Sequence, residues 1–346
     1  MKNRKWILKW GHVALLLMFF LLVIGNIHPI TSYADPPAQI EGEWIQSSNG
    51  RWWYRHTDGS YTSDGWEYIN GYWYHFDSDG WMQTGWLQVN STWYYLSSSG
   101  AMVTGWQYIN NYWYYFSTSG SMCTGWLKVN NVWYYLYPNG TMCTGWEYIN
   151  GSWYYFNDSG AMRTDDLYTS LRIYSFDEAG HWISTRLRVT RQQQQKSCWC
   201  WAASAVMVGR FNTDSTKTQS EVVYHIKHSY DDATGEDWEA NYALYYASDF
   251  TKFGTITDIG DFPYSTAVAN IDDDKPFIVK MLWNSGNAHM VAGAGYRITD
   301  SAIYLIDPAS NCSFGFYKYS KLRQGTSIQS GTGKWIMAIC YSLIGE

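Results

Sequence analysis

A pattern that returns every 20 residues, from residue 42 to about residue 182, constrains this chain more than any other feature. Gly-Trp recurs at 65/66, 85/86, 105/106, 125/126 and 145/146, and Trp-Tyr at 53/54, 73/74, 93/94, 113/114, 133/134 and 153/154. Glycine returns at 80, 100, 120, 140 and 160, and methionine at 82, 102, 122, 142 and 162 with threonine two residues later. A unit this short cannot bury its own apolar face, so the units must stack and share their cores.

Each unit reads as a β-hairpin. Trp66 to Ile69 and Tyr72 to Phe76 alternate around Asn70-Gly71, the pair that suits a type I′ turn because both central residues need positive φ. Asn150-Gly151 repeats the signal, and Asn90-Ser91, Asn110-Asn111 and Asn130-Asn131 are weaker versions. With the turn at 90/91, Val89 faces Thr92, Gln88 faces Trp93 and Trp86 faces Tyr95, so Trp86, Trp93 and Tyr95 share one face. The last unit frays, with Asp165-Asp166 for Gly-Trp and Ile173-Tyr174 for Trp-Tyr. Irregular ends fit an array whose outer face meets water.

Stacked hairpins of this kind leave aromatic-walled clefts. Ring faces attract cations by about 0.5–2 kcal/mol each, and Lys128 is the only lysine between residues 42 and 164. A quaternary ammonium ligand suits such clefts, and a sugar stacking on the rings fits nearly as well. The methionine column and the second tyrosine of each unit read as core. Tryptophan at this density serves burial less well than aliphatic residues, which favours ligand contact for the two tryptophans of each unit.

Units such as Gly85-Trp86 through Trp93-Tyr94-Tyr95 to Gly100-Ala101-Met102 resemble the choline-binding (cell-wall-binding) repeats of Gram-positive surface proteins, over some 120–140 residues. The resemblance implies sites built from two tryptophans of one hairpin and a tyrosine of the next. Carried over, these are Trp66, Trp73 and Tyr95; Trp86, Trp93 and Tyr115; Trp106, Trp113 and Tyr135; and Trp126, Trp133 and Tyr155. His75 stands at the third-ring position of an earlier site, and a later one would need Ser175 beside Trp146 and Trp153. Related repeats bind carbohydrate, so choline-bearing teichoic acid and wall or host glycans are both implied partners.

Charge and the N-terminus point outside the cell. Lys2, Arg4, Lys5 and Lys9 precede an apolar run from Val13 to Ile24, and Ser32-Tyr33-Ala34 has small residues at the −3 and −1 positions, as a cleavable signal peptide over 1–34 requires. The run is short for a membrane span, so no membrane association is expected after cleavage. Removing four basic and no acidic residues takes the net charge from −6 to −10, which argues against a nucleic-acid partner. Six cysteines are too few for a disulfide-built scaffold. Cys123 with Cys143 and Cys312 with Cys340 remain open as pairs.

After about residue 183 the repeats stop, and residues 190–346 have the length of one domain. Helices are expected over Ala202 to Arg210, after the capping box Thr218-Gln-Ser-Glu221, and from Glu236 to Ala247. Strands are expected over Phe277 to Leu282, His289 to Tyr296, Ala302 to Ile306, Gly315 to Tyr319 and Trp335 to Tyr341. Helices first and strands later suggest α+β. Chemistry concentrates in Gln194-Gln-Lys-Ser-Cys198-Trp199-Cys200-Trp201-Ala202-Ala203. A cysteine at a helix start meets the positive end of the dipole, which favours thiolate. It needs a histidine partner and a carboxylate or amide to orient that histidine. His289 begins one expected strand and Asp307 ends the next, so two adjacent antiparallel strands would bring them together.

These residues resemble a papain-like cysteine peptidase, and Gln-x5-Cys-Trp-Ala-Ala, Ala288-His289-Met and Ile306-Asp307-Pro308 look like the compact bacterial branch with the C39-like and C70-type peptidases. The fold implied is a β-hairpin solenoid of choline-binding type over 42–183, followed by an α+β papain-like domain over 190–346. Carried over, Cys200 is the nucleophile, His289 the base, Asp307 its orienter and Gln194 an oxyanion donor with the Cys200 N–H. Asp replaces the Asn of the large papains, and only 89 residues separate Cys200 from His289. The implied function is a secreted, cell-surface or wall-tethered cysteine peptidase acting on polypeptides, with no metal and no cofactor. A peptidoglycan amidase or endopeptidase, and a non-catalytic adhesin, are the alternatives.

Overall fold

The computed structural model describes residues 39–343, apart from residue 212 and residues 250–252. The expected signal peptide lies outside the described residues. Among the described residues no helix is long and apolar enough to cross a membrane. Two compact units divide the chain, one ending at Val103 and the other beginning at Thr104.

The first unit holds three hairpins: β1 (Gly42–Gln46) with β2 (Trp52–His56), β3 (Gly65–Ile69) with β4 (Tyr72–Phe76), and β5 (Gly85–Val89) with β6 (Thr92–Leu96). The second unit opens with three more: β7 (Gly105–Ile109) with β8 (Tyr112–Phe116), β9 (Gly125–Val129) with β10 (Val132–Leu136), and β11 (Gly145–Ile149) with β12 (Ser152–Phe156). Asn90 and Ser91 have φ of 47° and 66°, and Asn130 and Asn131 49° and 64°. The turns without glycine therefore adopt the same left-handed pair as Asn70-Gly71. The expected register holds, with Val89 opposite Thr92, Gln88 opposite Trp93 and Trp86 opposite Tyr95.

Within each unit, the methionine and glycine columns lock neighbouring hairpins together. The Met102 N–H donates to the Trp73 carbonyl (2.8 Å), and Met162 donates likewise to Trp133 (2.8 Å). Gly160 has φ +79°, and a Cβ there would run into the Met142 sulfur. The core column is Phe76 and Leu96 in one unit and Phe116, Leu136 and Phe156 in the other, all fully buried. Trp93, Trp113 and Trp133 remain 40, 43 and 40% exposed. The tryptophans thus lie outside the buried column rather than forming it.

The rest of the second unit contains β13 (Leu167–Tyr168), β14 (Arg172–Phe176), β15 (Trp182–Leu187), α1 (Cys200–Phe211), α2 (Gln219–Lys227), α3 (Asp237–Ala247), β16 (Phe253–Ile259) and α4 (Tyr264–Asp272). It continues with β17 (Phe277–Trp283), β18 (Ala288–Arg297), β19 (Ala302–Ile306), β20 (Phe314–Lys318), α5 (Tyr319–Gln324), β21 (Thr326–Ile328) and β22 (Gly331–Leu343). One sheet runs in the order β13-β14-β15-β18-β17-β22-β16, with β19 and then β20 paired on from β18. Its strands are buried on both faces by strict alternation. Ile278, Met290, Ala292 and Ile339 pack with α1, α2 and α3, and Phe277, Val279, Val291 and Ala338 pack with α4 and α5.

The frayed last repeat does not end in water. β15 pairs with β18 through Ser184–Arg297, Thr185–Tyr296 and Arg186–Gly295. Gly295 permits this approach, because a Cβ there would strike the Thr185 carbonyl. The buried Arg172 guanidinium holds the Asp274 carboxylate and the Asp272 carbonyl, and Leu187 is buried in the sheet core. A chain starting at residue 190 loses these contacts. Emptying Leu187 and Trp182 from that core costs about 3–5 kcal/mol, so its melting midpoint is expected roughly 10 °C below that of a chain starting at residue 165, as read by circular dichroism. Equal midpoints would mean that the last repeat contributes nothing to the fold.

Candidate active site

Cys200 opens α1, which is buried almost along its whole length. The Trp199 carbonyl accepts the Ala203 N–H (2.9 Å), so the Cys200 N–H falls in the first turn, whose donors lack intrahelical partners. The buried Ser204 hydroxyl donates to the Met290 carbonyl (3.0 Å), tying α1 to β18. β18 and β19 are antiparallel, with Ala292 opposite Ile306. The start of β18 therefore lies beside the end of β19, which places His289 next to Asp307.

His289 Nε2 and Asp307 Oδ1 are 2.9 Å apart, and both residues are buried. The Ala309 N–H also donates to that oxygen (3.0 Å). The Trp283 indole stacks over the imidazole at 5.6 Å and 22°. Cys200 lies close enough to His289 to act on its ionisation. With Nε2 taken by Asp307, Nδ1 is left for the sulfur. Burial opposes the imidazolium, but the bond to Asp307, the nearness of Cys200 and the negative charge of both outweigh it, so the His289 pKa is pushed up to about 9. Burial also opposes the Asp307 carboxylate, and the bond to His289 still holds its pKa below the usual value.

Gln194 lies between the two ends of this site. Its backbone N–H donates to the Pro308 carbonyl (2.8 Å). Its Nε2 donates to the carbonyls of Lys196 (3.0 Å) and Ser197 (2.7 Å), and Oε1 is buried without a partner. Both amide hydrogens are thus committed to the turn before Cys200, and oxyanion donation requires one of them to be released. Cys198, two residues before Cys200, donates its N–H to Asp232 (2.7 Å).

Two residues that hold the site escaped the sequence reading. Arg191 donates from Nε to the Asp307 carbonyl (2.7 Å) and from Nη2 to the Ala309 carbonyl (2.6 Å), clamping the turn that carries the carboxylate. Asp232 accepts from both the Ser197 hydroxyl and the Cys198 N–H. The Trp199 indole N–H reaches the neighbouring Asp231 carbonyl (2.9 Å). In sequence Arg191 sits in a polar stretch and Asp232 in an acidic loop, where both read as solvated charge. All six cysteines are free thiols. Among the described residues no group of three His, Cys, Asp or Glu side chains is gathered as a metal site requires.

In the array, the two tryptophans of a hairpin stand at right angles on one face. The centroids of Trp86–Trp93, Trp106–Trp113 and Trp126–Trp133 are 6.1, 6.4 and 6.0 Å apart, each pair at 87°. From the next hairpin Tyr94 lies on Trp66 (5.0 Å), Tyr134 on Trp106 (4.8 Å) and Tyr154 on Trp126 (4.9 Å). Tyr95, Tyr115, Tyr135 and Tyr155 pack edge-on against Trp86, Trp106, Trp126 and Trp146 of their own hairpins. Trp146 meets Tyr174, Phe176 and Trp182 at 5.0, 5.6 and 6.3 Å; the first two contacts repeat those of Trp126 with Tyr154 and Phe156, and Trp182 stands where the period would place a column methionine.

Residues 63–104, 103–144 and 143–186 match the choline-binding repeat model, and residues 186–333 match the Peptidase_C39 like family. The chain is an array of choline-binding repeats fused to a C39-like peptidase domain. Among solved structures it is similar to CbpJ from Streptococcus pneumoniae TIGR4 (41% identity over 41% of this chain and 48% of that one, TM-score 0.38). It is also similar to choline binding protein F from Streptococcus pneumoniae (43%, over 41% and 47%, TM-score 0.38) and the modular autolysin LytC from the same organism (30%, over 46% and 36%, TM-score 0.36). The chain spans less than half the length of each of these structures. No curated protein matches it.

Two outcomes follow from the C39-like domain's geometry. The His289 pKa is raised, so its contribution to stability is fully present below about pH 6.5 and is lost as the pH rises through about 9. The gap in melting midpoint between wild type and His289→Gln is expected to narrow from pH 6 to pH 10; a constant gap would contradict the pairing. Asp232→Ala frees the turn before Cys200 and is expected to slow Cys200 alkylation by iodoacetamide about three- to tenfold, with Asp232→Asn in between. An unchanged rate would make the Asp232 contacts incidental.

Proposed function

We propose that the chain is a secreted cysteine peptidase tethered to a cell wall. The observation that carries this reading is His289, paired with Asp307 at 2.9 Å on one side and near enough to Cys200 for the sulfur to raise its pKa. Cys200 first passes its thiol proton to Nδ1 of His289, and Sγ of the resulting ion pair attacks the carbonyl carbon of a peptide bond. Asp307 holds the imidazole through Nε2 and stabilises its positive charge. The Cys200 N–H, with a released Gln194 amide, receives the developing oxyanion. His289 then gives its proton to the leaving amine as the carbon–nitrogen bond breaks. Water attacks the thioester, frees the new carboxylate and restores the thiol. The Trp283 indole over His289 keeps bulk water from the ion pair.

The array binds choline-bearing teichoic acid or wall glycan in the clefts of Trp66, Trp73 and Tyr95; Trp106, Trp113 and Tyr135; and Trp126, Trp133 and Tyr155. Half-exposed tryptophans set perpendicular to each other support this, since such rings offer two faces to one cation. The test uses the full chain and Cys200→Ala in parallel gels containing casein or purified cell walls. Clearing of casein that disappears in Cys200→Ala, with wall binding intact, is the expected result. Clearing of walls alone would move the activity to peptidoglycan peptide or amide bonds. Clearing by Cys200→Ala as strong as by wild type would overturn the mechanism.

A further inference from the structure

The faces of the hairpins alternate with a period of 40 residues, twice that of Gly-Trp. Two residues after the Gly-Trp tryptophan stand Tyr68, Gln88, Tyr108, Lys128 and Tyr148 in turn. The register places this residue opposite the hairpin's second tryptophan: Tyr108 opposite Trp113, Lys128 opposite Trp133 and Tyr148 opposite Trp153. Tyrosine at this position leans on the indole, at 5.2 Å and 49° for Tyr108 on Trp113 and 5.2 Å and 48° for Tyr148 on Trp153. Lys128 instead sets its ammonium over the Trp133 ring, 5.4 Å from the centroid. Trp133 is 40% exposed and stands perpendicular to Trp126. Among the described residues Lys128 forms no salt bridge.

Resting on the reading of these clefts as ammonium sites, we propose that Lys128 makes the Trp126–Trp133 cleft selective for an ammonium ligand that carries an anionic group beside the cation. A free quaternary ammonium entering this cleft meets a like charge already seated on one wall. It must displace the lysine head or accept the repulsion, which weakens binding about two- to fivefold for an exposed cation–π contact. A ligand with an adjacent phosphate reverses the effect. Its ammonium takes the ring faces while the phosphate receives the displaced lysine as a charge-assisted partner. The Trp106–Trp113 cleft has Tyr108 at the corresponding place and no cation to discriminate with.

The test labels the full chain with 5-fluorotryptophan and assigns the Trp133 and Trp113 resonances with Trp133→Phe and Trp113→Phe. Choline and phosphocholine are then titrated into wild type and Lys128→Gln, with circular dichroism confirming that the variant is folded. At Trp133 the wild type is expected to prefer phosphocholine. Lys128→Gln lowers that preference at least about threefold, and the difference shrinks in about 0.5 M salt. At Trp113 the two proteins behave alike. An equal preference at Trp133 in both proteins would overturn the role of Lys128 and leave the ammonium reading standing. A Trp113 resonance that responds to choline beside a Trp133 resonance that responds to neither ligand would overturn it too. If neither ligand moves any resonance, the ammonium reading falls and this proposal with it.

Discussion

The C-terminal half is organised around one buried contact, the 2.9 Å pairing of the His289 imidazole with the Asp307 carboxylate. Neither group tolerates burial alone, since an isolated charge in a low-dielectric interior costs several kcal/mol. Together, and with Cys200 on the far side of the ring, they make the imidazolium the stable form well above its ordinary range. The surrounding architecture keeps three sequence-distant groups in register. β18 and β19 set the histidine beside the carboxylate, Ser204 fixes α1 to β18, and Arg191 holds the Asp307 turn by its carbonyls.

The repeat half divides its aromatic residues between two tasks. Phe or Leu at the end of the second strand fills the core from β4 to β12, and methionine with glycine locks adjacent hairpins within each unit. That arrangement releases the tryptophans from burial and leaves them as perpendicular walls at the surface. The last repeat is put to a different use. Its Trp182 takes the place of a column methionine beside Trp146, and its strand β15 extends the sheet that carries His289.

Much of this was legible from residue order because local rules determined it. Asn-rich two-residue turns dictated the hairpin register, and the period of 20 dictated the stacking. The capping box at Thr218 and Glu221 formed as read, and Ala302–Ile306 is the strand expected. What was not legible depends on loops meeting loops. Asp232 and Arg191 act through backbone groups 34 and 116 residues away, for which no spacing rule exists. β16 and α4 show no clear period in the sequence, since Phe253–Ile259 and Tyr264–Asp272 are short, mixed patterns. The frayed repeat reads as a solvent-facing cap, because a departure from pattern does not reveal what it departs toward.

The central claim is that His289 is held between a carboxylate and a sulfur, and its own titration reports this most directly. In a sample carrying 15N-labelled histidine, the His289 ring resonances of the wild type are expected to titrate near pH 9. The midpoint should move toward the ordinary value near 6.5 when either Cys200 or Asp307 is replaced by alanine. A wild-type midpoint near 6.5 that neither replacement moves would contradict the account.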